Sequence, residues 1–238
     1  MKLHDEHVRS YMDDIRDIGL LEFLTWKGND VSPTWKGAYQ PATNSTDAGL
    51  VALANFNRDH YLFYRALVER HVEKRGKVLD LGCGTGARTA MLGRYSEKTY
   101  GLDSDFLKIS AAANLNGDGK ITWVGGNFMT TDCTETFDYI FAVEVVEHIE
   151  PELQHAFIGR AIGLLESGGS LILTTPKDKE PERKPPHIGL WFPKDAAEMV
   201  YQFKGTLEYF NQRQFMSGGE NPWSEEATAT HYVMTVRK

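Results

Sequence analysis

VLDLGCGTG, residues 78–86, closes a short apolar run with glycine at alternate positions, Gly82, Gly84 and Gly86. The run reads as a strand and the glycines as a sharp turn into a helix over 87–94. Glycine suits such a turn because it tolerates positive φ and lets a ligand approach the backbone closely. A GxG loop can cradle a pyrophosphate, but the G-x-G-x-x-G spacing would need glycine where Ala87 stands. The glycine loop itself carries no lysine followed by serine or threonine, as a nucleoside-triphosphate loop would. Asp80 lies just before the glycines, where a carboxylate repels a pyrophosphate but accepts hydrogen bonds from a cationic or amino-bearing ligand.

Outward from this loop, short apolar runs alternate with helical patterns. KTYGL (98–102) precedes 105–114, ITWV (121–124) follows, YIFAV (139–143) precedes 151–166, and SLILTT (170–175) comes next. Such alternation marks βαβ units and a parallel sheet. A helix near 194–202 and two late strands, about 205–210 and 231–237, complete the pattern. Upstream, Val8, Tyr11, Met12, Ile15, Ile18, Leu21 and Leu24 form a helical stripe. Ser45, Thr46 and Asp47 offer N-caps for a second helix, roughly 48–73. The expected architecture is an α/β three-layer sandwich over 74–238 with an N-terminal helical cap over 1–73, the two forming one domain.

Composition narrows the function classes. Apolar residues make up 41% and charged residues 25%, as in soluble globular proteins. No run approaches the ~18 apolar residues of a transmembrane helix. MKLHDEHVRS lacks the apolar core of a secretory signal, and Cys83 and Cys133 give no disulfide framework, so the expected compartment is the cytoplasm. With 26 basic against 33 acidic residues and a net charge of −7, broad phosphate-backbone binding is disfavoured and nucleic acid is not the expected partner.

Three more positions extend the reading of the glycine loop. YGLD ends the second strand, and Asp103, 23 residues after Asp80, suits a carboxylate gripping a ribose diol. GGNFM after the third strand offers Asn127 to an adenine amino group and Phe128 to its face. Together these point to a nucleoside carrying an amino acid rather than phosphates. VLDLGCGTG, YGLD, GGNF and FDYIFAVEVVEHI, in this order over roughly residues 70–176, resemble the class I S-adenosylmethionine-dependent methyltransferases. The resemblance implies a Rossmann-like, seven-stranded, mostly parallel sheet whose last strand is antiparallel, with S-adenosyl-L-methionine as cofactor. By position it implies Gly82, Cys83 and Gly84 along the methionyl part, flanked by Asp80 and Gly86. Asp103 with the neighbouring Ser104 would meet the ribose hydroxyls, and Asn127 and Phe128 the adenine. Asn127 departs from the aspartate more usual there. Arg58 would either pair with the cofactor's carboxylate or remain a solvated surface arginine.

FAVEVVEHI (141–149) places Glu144, Glu147 and His148 at i, i+3 and i+4, so one helical turn would bring all three to one face. Glu144 falls at the carboxyl end of the fourth strand, where open α/β sheets place their active sites. His148 is a candidate base for removing a hydroxyl proton, with Glu144 as a catalytic or cofactor-facing acid. Glu144, Glu147 and His148, joined by His187 from the loop after strand five, also suit Mg²⁺ or Mn²⁺. E-x-x-E-H with a later histidine resembles two groups, the ubiquinone-pathway O-methyltransferases and the small-RNA terminal 2′-O-methyltransferases. In the RNA group the corresponding cluster binds a metal that grips the terminal ribose hydroxyls. Metal site, metal-free base and plain scaffold stay open as alternatives.

The expected reaction is O-methylation of a small-molecule acceptor, aromatic, sugar or natural-product-like, under a lid containing Trp35, Tyr39, Trp191 and Phe192. One rival is an RNA 2′-O-methyltransferase, disfavoured because KDKEPERK (177–184) nets only +1. The others are a non-catalytic cofactor-binding subunit and an NAD-dependent reductase, the latter disfavoured by the missing third glycine. NLNGDG (114–119) mimics a calcium loop, but its twelfth position is Gly125 rather than glutamate.

Overall fold

A computed structural model describes residues 63–115, 119–177, 187–212 and 221–238. Arg58, Trp35, Tyr39 and the cap expected over 1–73 lie outside the described residues, save for a helical stretch from 63 to 71 (α1). The remaining elements are β1 (Lys77–Leu81), α2 (Ala87–Tyr95), β2 (Lys98–Asp103), α3 (Phe106–Leu115), β3 (Ile121–Gly125) and β4 (Phe137–Val143). After them come α4 (Pro151–Gly163), β5 (Leu165–Pro176), α5 (Pro193–Phe203), β6 (Thr206–Phe210) and β7 (His231–Arg237). Among the described residues no helix is long and apolar enough to cross a membrane.

The strands form one seven-stranded sheet in the order β3-β2-β1-β4-β5-β7-β6. β7, the last in the chain, runs antiparallel to both neighbours, while the pairs from β3 through β5 are parallel. Parallel strands joined by helical crossovers are covered on both faces, which explains why they read as continuous apolar runs rather than alternating ones. β4 shows this well. Tyr139, Phe141 and Val143 join one buried cluster with Phe63, Leu67, Met91 and Leu92 from α1 and α2. Ile140 and Ala142, pointing the other way, join a second cluster with Phe157, Ile158 and Ala161 of α4 and Ala196 of α5. These two clusters separate the three layers.

Helix α4 starts with Pro151 in its first turn, where the missing N–H costs nothing. It ends at Gly163, earlier than the periodicity suggests, because Leu165 is fully buried and already pairs with Phe137 in the sheet. Helix α1 is tied down by aromatic packing: the Phe63 ring lies 4.5 Å from Phe210 and 5.2 Å from His231 between centroids. Its neighbour Tyr64 is thereby aimed at Asp80 of β1.

Phe63→Ala should therefore destabilise the chain by about 3–5 kcal/mol in denaturant unfolding. Tyr201→Ala, on a side chain 86% exposed, should stay within about 0.5 kcal/mol of the parent.

Candidate active site

The crossovers leave β1 and β4 toward opposite sides of the sheet, so the loops at their carboxyl ends face each other across a crevice. Gly82, Gly84 and Gly86 all take positive φ, at 71°, 57° and 83°. A Cβ on Gly82 would lie 2.6 Å from Val145 Cγ2 on the opposing loop, whereas one on Gly84 would meet nothing within 4 Å. The first glycine is thus required by packing, and the middle one opens a face where a ligand can reach the backbone. Cys83 is buried, and that burial, with the Asp80 and Asp103 carboxylates nearby, pushes its thiol well up, so it stays neutral.

Asp103 carries the other half of the cradle. Gly84 N–H donates to its Oδ2 at 2.8 Å and Asp105 N–H to its Oδ1 at 2.9 Å. Each carboxylate oxygen has a lone pair beyond the one its backbone donor takes. Ser104 beside it is exposed. Asn127 Oδ1 accepts Met129 N–H at 2.9 Å, which closes a turn at the end of β3. Phe106 and Leu107, 67% and 82% exposed at the start of α3, were not singled out by the sequence reading. The Phe106 ring covers Gly125, where a Cβ would lie 2.6 Å from Phe106 Cδ1. Their signal was their position, three and four residues after the strand-end acid Asp103.

Three expected contacts are corrected. Asp80 is fully buried, and its oxygens accept Thr89 Oγ1–H at 2.6 Å and the Tyr64 hydroxyl at 3.4 Å. Burial pushes its pKa up to about 6, against the pull of those hydrogen bonds. It joins β1, α2 and α1 instead of offering an oxygen to an amino-bearing ligand. Phe128 is only 6% exposed and packs edge-on against Phe157 at 5.1 Å, so the ring belongs to the core rather than to an adenine face. Trp191 is likewise wholly buried rather than part of a pocket lid. In both cases the ring gains more from closure by core neighbours than from facing a crevice.

The acidic cluster is also arranged differently from one helical turn. Glu144 has φ +57°, in the left-handed region that no α-helix can continue through. Its Oε1 accepts Thr174 Oγ1–H at 2.9 Å and its Oε2 lies 3.4 Å from His231 Nε2. Only Val146–His148 is helical, as a tight 3₁₀ turn. With three residues per turn, Glu147 and His148 point about 120° apart. Glu147 is 1% exposed, whereas the His148 side chain is 44% exposed.

Glu147, His148 and His187 each offer one ligand atom, all within 4.8 Å of one another. Glu144 is not part of that group, which corrects its expected place among the metal ligands. Glu147 Oε2 and Thr175 Oγ1 are buried with no hydrogen-bond partner other than each other. Burial, then the Glu144 charge, push the Glu147 carboxyl up to about 9. His231 and Thr174, which hold Glu144, went unnoticed in the sequence because nothing local marks a strand residue that turns toward another strand's end.

A family described as a methyltransferase domain matches residues 56–216. The ubiquinone biosynthesis O-methyltransferase of Bradyrhizobium sp. (strain ORS 278) is 33% identical over 102 residues, which is 42% of this chain and 39% of that protein. The match therefore spans about two fifths of the relative's length. The N-methyltransferase NodS from Bradyrhizobium japonicum WM9, in complex with S-adenosyl-L-homocysteine, superimposes with a TM-score of 0.59 at 16% identity, covering 91% of this chain and 97% of NodS. The [4+2]-cyclase SpnF gives a TM-score of 0.60 at 16% identity over 76% of this chain and 81% of its own. At these identities the structural likeness is one of fold.

The raised Glu147 pKa has a sign that can be measured. Between the unfolded value of 4.5 and the folded value of about 9, folded Glu147 keeps a proton that the unfolded chain releases. Stability then falls as pH rises, by at most about 1.4 kcal/mol per pH unit. Glu147→Gln cannot titrate, so its gain in Tm over the parent, measured in chelator, should widen from about pH 5 to about pH 8. A pH-independent difference would contradict a buried, neutral Glu147.

Proposed function

This chain belongs to the methyltransferase-domain family, and from that premise we propose that it transfers the methyl group of S-adenosyl-L-methionine to a hydroxyl oxygen of a small-molecule acceptor. The observation that carries this reading is the Gly84–Asp103 hydrogen bond at 2.8 Å. It fixes a carboxylate with spare lone pairs beside a glycine whose open side admits a ligand, the combination a ribose and a methionyl chain need.

Methyl transfer is an in-line displacement. The acceptor oxygen forms a bond to the methyl carbon as the C–S bond breaks, and that electron pair returns to sulfur, leaving neutral S-adenosylhomocysteine. Asp103 orients the nucleoside, Gly82 and Gly84 let the methionyl part lie on the loop, and Phe106 and Leu107 offer an apolar wall beside it. The acceptor hydroxyl must lose a proton, and His148, whose side chain is 44% exposed, takes it. Transfer to oxygen is supported by that imidazole and by the name of the curated relative.

The same cluster also fits a divalent ion. Two imidazoles and a carboxylate lie close together, and Glu147 Oε2 is buried with only the Thr175 hydroxyl to meet it. Glu147, His148 and His187 would hold Mg²⁺ or Mn²⁺, which when bound lowers the pKa of an acceptor hydroxyl. His148 then serves as ligand rather than base, and Glu144 stays with Thr174 and His231.

Calorimetric titration with S-adenosylhomocysteine should give micromolar binding that Asp103→Ala weakens by about tenfold or more, while NAD does not bind. Methyl transfer from radiolabelled cofactor to a catechol should fall about 10²–10⁴-fold in His148→Ala. Titration of chelator-treated protein with Mn²⁺ separates the two roles of the cluster. Binding that is lost in Glu147→Ala makes it an ion site; no binding leaves His148 as the base. Because the fold is shared with a [4+2]-cyclase, cofactor binding without transfer to any hydroxyl acceptor would point to a chain that does not methylate.

A further inference from the structure

His187 and the Glu147–His148 pair are far apart in the chain, yet one buried amide joins the segments that carry them. Gln154, in the first turns of α4, is 3% exposed. Its Nε2 donates to the carbonyls of Val146 at 2.9 Å, Ile149 at 3.2 Å and Gly189 at 2.6 Å. Its Oε1 accepts the Trp191 indole N–H at 2.8 Å. Two protons serve three carbonyls, so one is shared. Val146 and Ile149 bracket Glu147 and His148, while Gly189 and Trp191 follow His187 on its loop. The loops also meet directly, because Gly189 N–H donates to Glu147 O at 2.8 Å. That approach needs glycine: a Cβ there would lie 2.0 Å from Ile149 O and 2.3 Å from Gln154 Nε2. The outcome is an edge-on contact of the His148 and His187 rings, 5.0 Å between centroids.

We propose that Gln154 is the positioning residue that assembles the Glu147–His148–His187 cluster, clamping the loop of His187 onto the turn of Glu147 and His148. The proposal rests on the reading of that cluster as the catalytic site. The chemistry singles out glutamine. A glutamate here would set a carboxylate oxygen against carbonyl oxygens, and a methionine of similar shape would supply no donor and leave the buried indole N–H unpaired. Gln154 reaches the segments that carry the cluster through the carbonyls of Val146, Ile149 and Gly189 and through the Trp191 indole.

The test observes the nuclear Overhauser cross-peak between the His148 and His187 rings in the metal-free full chain. It should be present in the parent and lost in Gln154→Met, with thermal unfolding still cooperative and S-adenosylhomocysteine affinity unchanged. Trp191→Phe, a milder change that frees the carboxamide oxygen, should weaken the same peak. Where the parent binds Mn²⁺, Gln154→Met should lower that affinity about tenfold to a hundredfold. A merely structural Gln154 would lower Tm and leave the cross-peak in place. An unchanged peak in either cooperatively folded variant, or no peak in the parent, overturns the proposal. If the parent binds no Mn²⁺ but the peak still vanishes in Gln154→Met, the ion reading fails and the clamp stands.

Discussion

The Asp103 carboxylate holds the ligand edge of the sheet together. It accepts the Gly84 N–H from the loop after β1 and the Asp105 N–H that leads into α3. The same residue's carbonyl accepts Gly126 N–H at 3.0 Å, from the loop after β3. Three successive strand ends are therefore tied at one residue. Hydrogen bonds to a charged acceptor contribute about 1.5–3 kcal/mol each, but their larger consequence is positional. The carboxylate is held by two backbone donors, and the glycine loop keeps its open side at Gly84. The cofactor reading depends on this arrangement.

Across the crevice, two acids three residues apart have opposite fates. Glu144 takes a left-handed conformation that costs on the order of 1–3 kcal/mol, offset by Thr174 and His231 gripping both of its oxygens. That single residue ends the strand's direction and sends the chain into the 3₁₀ turn, which drives Glu147 inward and His148 outward. Glu147 is then buried near a like charge and holds its proton.

Much of the fold was legible beforehand. The runs at 78–81, 98–102, 121–124 and 139–143 all fall within observed strands, because buried parallel strands carry a dense apolar code that local reading can detect. The glycine turn and the acid at the end of β2 were legible in place for a similar reason: each closes an apolar strand run. Side-chain destinations were harder to read. Phe128 follows the asparagine where a ligand face was expected, but α4 brings Phe157 against it. Asp80 carries a charge, but α1 and α2 bring hydroxyls to both of its oxygens.

Sequence alone determined the order of strands and helices along the chain, the turn at the glycines and the acid that ends β2, since each is set by residues within a few positions of one another. The tertiary structure decided which side chains meet. Gln154 finds Gly189, His231 finds Glu144 and Tyr64 finds Asp80 only once the sheet order is set and the crossovers are closed. No periodicity links such partners. Their pairing depends on burial, which leaves a polar group in the interior no alternative to the partner the fold places beside it.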